Sequence, residues 1–275
     1  MISNKKPIKF ITLIKIPLIL LCLVALGIAI YQIFIWQDDS KQIDSEIEEI
    51  SKIVTPYELT STDNSTLVNP PENKENPYWD FIKLSMMNVD FAKLKDINNE
   101  TKGWIQVLGT NINYPFVQHN DNKFYLNHSF DQKENGAGWV FLDSRNNIDN
   151  IDRNNIIYAH GRINSVLFGT LKNILKSGWL ETPNNHVIKV ATESGSSIWQ
   201  VFSVYHTPTT SDYIVTDFKN DETYLYFLKY LEGKSAYDFN VEVDSDDKIL
   251  TLSTCFTSTE KVVMHAKLIK VVSKN

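Results

Sequence analysis

An uncharged apolar run near the N-terminus constrains this chain most. Residues 16–36 form a stretch of 21 residues without a charged side chain. A helix rises about 1.5 Å per residue, so about 20 apolar residues are enough to cross the hydrocarbon core of a bilayer. Lipid offers the backbone no hydrogen-bond partners, and a single spanning segment must therefore be helical. We predict a transmembrane helix over residues 16–36.

The charges on either side of this run indicate its orientation. Lysines precede the run and aspartates follow it, at Lys5, Lys6, Lys9, Lys15, Asp38 and Asp39. Basic residues are retained on the cytoplasmic side, which places residues 1–15 in the cytoplasm. Aromatic residues, and no small-residue cleavage site, follow the apolar core, which favours an uncleaved signal anchor. The prediction is a single-pass membrane protein whose remaining chain lies outside the cell.

The next segment, residues 37–77, has the composition of a stalk and a linker. Ile43, Ile47, Ile50 and Val54 recur at helical spacing among acidic residues, which predicts a short amphipathic helix. Residues 60–76 are rich in Ser, Thr, Asn and Pro and poor in apolar side chains, which is typical of a flexible linker. A folded domain is expected over residues 78–275.

Composition excludes one large class of partners. The net charge is -6, and the chain has only three arginines, Arg145, Arg153 and Arg162. A nucleic-acid-binding protein normally carries a basic stripe on one face. We therefore expect no nucleic-acid partner, while the 43% hydrophobic content is ample for a packed core.

Short β-branched runs bounded by Asn, Asp, Gly or Pro recur through the folded domain. They predict strands at 103–107, 112–117, 138–142, 155–159, 186–191, 197–205, 249–254 and 262–272. Helical spacing occurs in one or two short segments within 78–94 and again at 166–175 and 222–231. Many short strands with few helices indicate a mainly β barrel or sandwich.

One cysteine stands out by its position. Cys255 ends the strand 249–254, and Cys22 lies in the apolar run, so the exported part has no second cysteine with which to form a disulfide. A lone thiol is either a small buried hydrophobe or a nucleophile held by a rigid strand end. Among the six histidines, His160 is the best placed to activate it, because it too ends a strand. Any single histidine, however, is more often structural or solvated.

Six sequence blocks carry a family resemblance. They are 103–105 (GWI), 111–115 (NINYP), 125–128 (YLNH), 141–146 (FLDSRN), 156–160 (IIYAH) and 251–255 (TLSTC). In this order and approximate spacing the chain resembles the class B sortases, membrane-anchored cysteine transpeptidases of Gram-positive bacteria. The resemblance covers roughly residues 78–272, nearly the whole of the exported domain.

The resemblance implies a fold and a reaction. The fold is a closed eight-stranded β-barrel with N-terminal helices and a further helix between strands six and seven, here at 222–231. Cys255 would attack the carbonyl after Thr in a C-terminal sorting signal of the N-P-x-T-x kind on a secreted protein. An amine of a peptidoglycan precursor or cross-bridge would then release the acyl group. His160 would be the general acid and base, and no metal or cofactor is implied.

The resemblance also implies a peptide groove and a cation. Thr209, Tyr213 and Ile214 match groove-lining positions, and we expect Ser253, Tyr158 and Arg162 to contribute to substrate binding as well. The family carries an arginine on the strand after the nucleophile, where this chain has Lys261. Lysine lacks the planar fork of arginine, so the exchange is not conservative at a bidentate site. Lys261, Arg162 or no cation at all therefore remain the alternatives for stabilising the oxyanion.

Three functions remain open from the residues alone. The first is a sortase transpeptidase, and the second is a Cys–His hydrolase that releases the same acyl-enzyme to water, as a protease or peptidoglycan peptidase. The third is a sortase-like module that binds a sorting signal without turnover, which the missing arginine makes conceivable. An amine acceptor distinguishes the first two, and thiol reactivity distinguishes the third.

Overall fold

The computed structural model of this protein describes residues 10–59, 64–162, 164–255 and 259–274, and the side chains of residues 10–14 and of Cys255 lie outside that description. Its helices are α1 (Phe10–Ile53), α2 (Tyr78–Phe81), α3 (Phe91–Ile97), α4 (Ser177–Leu180) and α5 (Asp221–Gly233). Its first strands are β1 (Tyr57–Glu58), β2 (Thr66–Leu67), β3 (Met87–Asn88), β4 (Thr101–Val107), β5 (Asn113–Val117) and β6 (Phe141–Leu142). The others are β7 (Asn154–Tyr158), β8 (Val187–Thr192), β9 (Gly195–Pro208), β10 (Ile249–Cys255) and β11 (Glu260–Ser273).

Eight of the strands close into a barrel. Their order is β10-β7-β6-β5-β4-β8-β9-β11, and β11 pairs again with β10 to complete the circle. The β7–β10 and β5–β6 pairs are parallel and the others are antiparallel. The eight-stranded closed barrel is confirmed. Helix α5 lies between the sixth and seventh barrel strands, β9 and β10, as the resemblance implied.

Helix α5 shows how the sequence determines a local element. Asn220 caps its first turn by accepting from the amide of Thr223, whose hydroxyl lies 3.2 Å from the Asn220 amide in return. Tyr224, Phe227, Leu228 and Leu231 then recur at helical spacing and are buried on one face. This helix begins the connection that returns the chain to β10.

Helix α1 is a single continuous element of 44 residues. Its large apolar side chains from Ile16 to Trp36 are exposed, and this part is apolar enough to cross a membrane. Beyond that run the character of the helix changes, because Ile43 and Ile50, together with Val54 directly after the helix, are buried in the core of the barrel domain. The predicted amphipathic helix is thereby confirmed, and it is continuous with the apolar run.

The described part of the predicted linker contacts the barrel domain. Strand β2 pairs with β11, and Asn69 donates a hydrogen bond of 2.8 Å to Asp247. The hydroxyl of Tyr78 also donates to the carbonyl of Val68, at 3.1 Å. The strand pairing is made by backbone groups and the other two contacts by single side chains, so the composition of the segment does not reveal them. Residues 60–63 of the same prediction lie outside the described residues.

Two other local predictions differ in extent. The helix expected at 166–175 is a short 3-10 turn over Gly169–Asn173, preceded by buried Phe168. The strand expected at 138–142 is reduced to Phe141–Leu142. Gly138 has a positive φ of 63°, and a Cβ there would come within 2.5 Å of the carbonyl oxygen of Tyr125. That turn keeps residue 138 out of the strand.

Candidate active site

The parallel pairing of β7 with β10 brings the two main candidate residues together. Ser253 is the partner of Tyr158 in this pair, and the amide of Ala159 donates to the carbonyl of Ser253 at 3.4 Å. Two residues further along each strand stand Cys255 and His160. Neighbouring strands lie about 4.8 Å apart. The backbones of Cys255 and His160 therefore occupy matching positions at the same end of two adjacent strands.

The ring of His160 is held by a backbone carbonyl. Its Nε2 lies 2.8 Å from the carbonyl oxygen of Leu126, and the side chain is half-buried. A carbonyl oxygen only accepts, so Nε2 carries a proton in this arrangement. In the neutral ring Nδ1 is then the nitrogen that can take up a second proton. The residue that orients the ring, Leu126, is the second residue of the YLNH block of the sequence.

Lys261 lies opposite the candidate nucleophile in the β10–β11 hairpin. Cys255 and Lys261 are direct partners in the antiparallel register, and Lys261 also pairs with Thr207 of β9. The lysine side chain is half-buried. The family resemblance predicts a cation at this position, and the register puts the lysine next to Cys255 in the sheet.

The candidate groove residues cluster on and beside one loop after β9. The amide of Thr209 donates to the carbonyl of Thr259 at 2.9 Å, which ties the start of this loop to the β10–β11 hairpin. Tyr213 and Ser253 are both buried, and their hydroxyls lie 2.9 Å apart. Ile214 is half-buried. The structure thus brings Thr209, Tyr213, Ile214 and Ser253 to the same end of the barrel as Cys255.

Tyr158 reaches this loop through an ion pair between buried Asp143 and exposed Arg145. Its hydroxyl donates to Asp143 Oδ2 at 2.9 Å, and Arg145 donates to both carboxylate oxygens of Asp143 at 2.8 and 2.7 Å. Burial alone would raise the pKa of Asp143, but the hydrogen bonds from Arg145 and its other donors outweigh it and lower that pKa. Arg145 also donates to the carbonyl of Ile214 at 3.1 Å.

A second buried network holds the same loop from inside the barrel. Asn154 Nδ2 donates to the carbonyls of Tyr213 and Val215 at 3.3 and 2.9 Å. Its Oδ1 accepts from the hydroxyl of Thr251 at 2.7 Å. Thr251 in turn lies 2.9 Å from Nδ1 of His265. These bonds connect the groove loop to the interior of β11.

The chemistry of each group determines which partner donates in every hydrogen bond of this network. Because Asn154 Oδ1 can only accept, the Thr251 proton is donated to it, and Thr251 accepts from Nδ1–H of His265. Nε2 of His265 is then an acceptor, 2.9 Å from the hydroxyl of Tyr205, which donates. Burial, aided by the nearby charge of Lys234, lowers the pKa of His265 to about 3. His265 is therefore the neutral tautomer that the chain of bonds requires.

Sequence reasoning missed the residues that support the loop. Asp143 and Arg145 stand in the FLDSRN block, and that block was the available signal, although it assigned them no role. Asn154 and His265 gave no sequence signal, because a polar residue within a strand is normally solvated or structural. Their function depends on register, which pairs Asn154 with Ile249, two residues before Thr251, and sets Thr251 opposite His265.

Arg162 contacts helix α1 in the structure. Its guanidinium lies over the ring of Trp36 in α1, 5.0 Å from the ring centroid, and Nη2 donates to the hydroxyl of Ser40. The Trp36 carbonyl lies 3.4 Å from the same nitrogen. Arg162 is therefore bound to α1 at the end of the apolar run of that helix.

Comparison with known proteins agrees with this geometry. The sortase domain family model matches residues 105–269. Sortase B of Staphylococcus aureus is 38% identical over 185 residues, which are 66% of this chain and 75% of that protein. A Staphylococcus aureus sortase B–substrate complex, also 38% identical, covers 66% of this chain and 84% of its own, with a TM-score of 0.61.

A second solved structure extends over more of the chain. Sortase B from Bacillus anthracis is 31% identical and covers 84% of this chain and 98% of its own, with a TM-score of 0.67. All the candidate site residues from Tyr158 to Lys261 fall within the matched family domain. The chain belongs to the sortase family, and its relatives identify it as a class B sortase, a cysteine transpeptidase.

Proposed function

We propose that Cys255, His160 and Lys261 carry out the transpeptidation of this sortase. The observation that carries the proposal is the register of three neighbouring strands. Cys255 ends β10, His160 follows β7 at the matching level, and Lys261 faces Cys255 from β11. A nucleophile, a proton carrier and a cation thus come from three rigid strand ends, which is the kind of support that positions catalytic groups.

The first half-reaction forms a thioester. The thiolate of Cys255 attacks the carbonyl carbon of Thr in the sorting signal, and the peptide C–N bond breaks as the oxyanion collapses. His160 takes the proton of the Cys255 thiol on Nδ1 as the thiolate forms, and the resulting imidazolium donates that proton to the departing amine. The carbonyl of Leu126 holds Nε2–H, so Nδ1 is the nitrogen that we assign to this proton transfer.

The second half-reaction reverses the proton transfer. The incoming amine attacks the thioester carbon, His160 takes the proton from the nitrogen, and the C–S bond breaks to regenerate the thiolate. A new amide joins the secreted protein to the acceptor. We propose that the acceptor amine belongs to a peptidoglycan precursor or cross-bridge.

Lys261 is proposed to stabilise both oxyanions. Directly opposite residues of an antiparallel pair are neighbours, with Cβ atoms about 4.5–5.5 Å apart. An ammonium group at that position is within reach of an oxygen bound next to the strand end. Removal of one oxyanion donor typically costs about 100- to 1,000-fold in turnover. Arg162, the alternative cation, is engaged with Trp36 and Ser40 instead.

The groove is proposed to bind a C-terminal sorting signal of the N-P-x-T-x kind. Support comes from the loop 209–215, whose carbonyls are held by Asn154 and Arg145. Tyr213, Ile214 and Thr209 are proposed to contact the signal from this loop, with Ser253 and Tyr158 on the adjoining strands. Because these carbonyls are already bonded, little ordering is left to occur on peptide binding.

The anchor is proposed to cross the membrane once at residues 16–36. The lysines before the span remain in the cytoplasm and the barrel stands outside, where secreted proteins and wall precursors occur. Protease added to intact cells should then remove residues beyond about Asp38 and spare a tag fused before Lys5. Proteolytic removal of that tag would show that the protein has the opposite orientation in the membrane.

The test of the function is product analysis. A library of fluorogenic N-P-x-T-x peptides is incubated with the full chain in vesicles, with and without an amine acceptor, and the products are identified by mass spectrometry. We expect peptides ligated to the amine through Thr. Free Thr carboxylate as the sole product, with the amine present, would indicate the hydrolase, and no turnover with an unreactive thiol would indicate the binding module.

A further inference from the structure

Helix α1 meets the catalytic domain at the end of its apolar run. Trp36, the last residue of the proposed span, lies under the guanidinium of Arg162, and Ser40, one turn later, accepts a hydrogen bond from it. Ser40 is buried, whereas Ile35 is 45% exposed. The change from lipid-type exposure to protein contact therefore takes about one helical turn. No spacer separates the proposed membrane segment from the domain.

Further contacts fix this helix along the domain. Asp39 Oδ2 accepts from the amide of Gly136 at 3.1 Å, and the Asp39 carbonyl accepts from Asn135 Nδ2 at 3.2 Å. Glu46 accepts from the amide of Asp131 at 2.7 Å. Ile43 is fully buried beside these polar contacts. The helix and the loop 131–136 consequently form one packed unit.

The loop that follows His160 belongs to the same unit. The amide of Phe168 donates to the His160 carbonyl at 3.2 Å, and Lys172 donates to the Gly161 carbonyl at 2.7 Å. Gly169 packs so closely that a Cβ would come 2.4 Å from the Arg162 carbonyl oxygen. Arg162 thus links α1 to a tightly packed loop that starts at the proposed acid–base residue.

We propose that residues 36–53 of α1 form a clamp that seats the loop after His160 on the outer surface of the bilayer, with Arg162 as its positioning residue. The proposal rests on the membrane anchor of the proposed function, and its partner is a lipid surface. Tryptophan concentrates at the membrane–water interface, which places Trp36 at headgroup level. The contacts of Arg162 lie within about 6 Å of that level along the helix axis, whereas Ile53 lies about 26 Å beyond it.

The clamp has a consequence for catalysis. A displacement of about 1 Å in a catalytic group can cost about 100-fold in rate. Loss of the Arg162 contacts with α1 would make the loop two residues after His160 less rigid and would leave the groove loop 209–215 in place. The clamp therefore acts on turnover more than on peptide binding.

Kinetics on the full chain in phosphatidylcholine vesicles test the positioning role. Arg162→Ala should lower kcat at least about 10-fold and change KM less than about 3-fold. Ser40→Ala and Trp36→Leu should lower kcat in the same direction, because they remove the other side of the clamp. Lys41→Ala, on the exposed face of the same turn, is the matched control and should have no effect. Loss of activity in Arg162→Ala with wild-type kcat in both α1 variants would overturn the clamp and make Arg162 a substrate contact.

Depth measurements test the seating on the bilayer. A fluorophore is attached at Glu134→Cys or at Glu58→Cys, in a background with Cys22→Ala and Cys255→Ala, and lipid-borne quenchers are added. Glu134 is exposed beside the Asp39 contact, and Glu58 follows the far end of α1. We expect quenching several-fold stronger at residue 134. A ten-residue Gly/Ser insertion between Gln37 and Asp38 should abolish the difference.

The outcomes separate the two proposals. A chain that floats with the vesicles but shows equal quenching at residues 134 and 58 overturns the clamp and leaves the anchor intact. A chain that does not float with the vesicles overturns the anchor of the proposed function, and the clamp with it.

Discussion

Asn154 offers the sharpest test of how the barrel supports the groove. Its side chain is fully buried and makes three hydrogen bonds, to the carbonyls of Tyr213 and Val215 and from the hydroxyl of Thr251. Asn154→Leu keeps the approximate volume and removes all three. Each buried group left without a partner costs about 1–3 kcal/mol, and the 3.3 Å bond belongs at the low end. We expect the free energy of unfolding to fall by about 3–5 kcal/mol.

The same change should weaken peptide binding selectively. With its carbonyls released, the loop 213–215 must be ordered by the sorting signal, and each 1.4 kcal/mol of ordering cost is about tenfold in affinity. We expect KM for the sorting peptide to rise about 10-fold or more while the rate of Cys255 alkylation stays within about twofold.

The assays are urea unfolding of the full chain in micelles, followed by tryptophan fluorescence, and steady-state kinetics. Asn150→Leu, an exposed asparagine in the loop before β7, is the matched control and should change stability by less than about 0.5 kcal/mol. If Asn154→Leu fails to fold, Thr251→Val removes one bond of the same chain and should show a smaller rise in KM. A stability loss under 1 kcal/mol with unchanged KM in Asn154→Leu would refute the reasoning.

Three further predictions concern the site and the clamp. His160→Ala should lower turnover at least about 100-fold, the usual contribution of an acid–base group, in a peptide ligation assay, and survival of activity together with its loss in His128→Ala would move that role to His128. Lys261→Ala should slow single-turnover acylation about 100-fold or more with little change in peptide binding, and Lys261→Arg should keep it, whereas full acylation in Lys261→Ala would exclude the lysine. Burial, together with the negative charge of Asp131, raises the pKa of Glu46 from 4.5 to about 7, although hydrogen bonds from the amides of Asp131 and Phe130 and the positive charge of Lys133 oppose the shift. The stability that protonated Glu46 contributes to the fold is therefore complete below about pH 4.5 and is lost as the pH rises through 7. The free energy of unfolding should thus fall by about 3 kcal/mol over that range in the wild type and stay level in Glu46→Gln, and equal slopes in the two proteins would contradict the assignment.

The sequence predicted the strands because their residues carry the pattern themselves. Each run between Gly103 and Val272 alternates or concentrates β-branched residues, and the turns between them contain Gly, Pro, Asn or Asp. Closure of the sheet depends on β10 pairing with both β7 and β11, across about 100 residues of chain in the first case. Periodicity does not encode that pairing, and the eight-stranded barrel came from the family resemblance.

The same limit applies to the site. Cys255 and His160 were found because each ends a strand, which is a local property. Arg162 was predicted to contribute to substrate binding or to the oxyanion, and its contacts with Trp36 and Ser40, which join positions more than 120 residues apart, were beyond any local pattern. Asn154 and His265 act through a series of hydrogen bonds between strands, so no local sequence pattern indicates their role.

Intact-mass spectrometry of a single turnover tests the central claim most directly. The full chain in vesicles is mixed with an N-P-x-T-x peptide, quenched in acid at short times and digested to locate the modification. We predict a thioester of the peptide up to Thr on Cys255, which disappears when an amine is added as the ligated product forms. An adduct on any other residue, or turnover to ligated product by Cys255→Ala, would contradict the account.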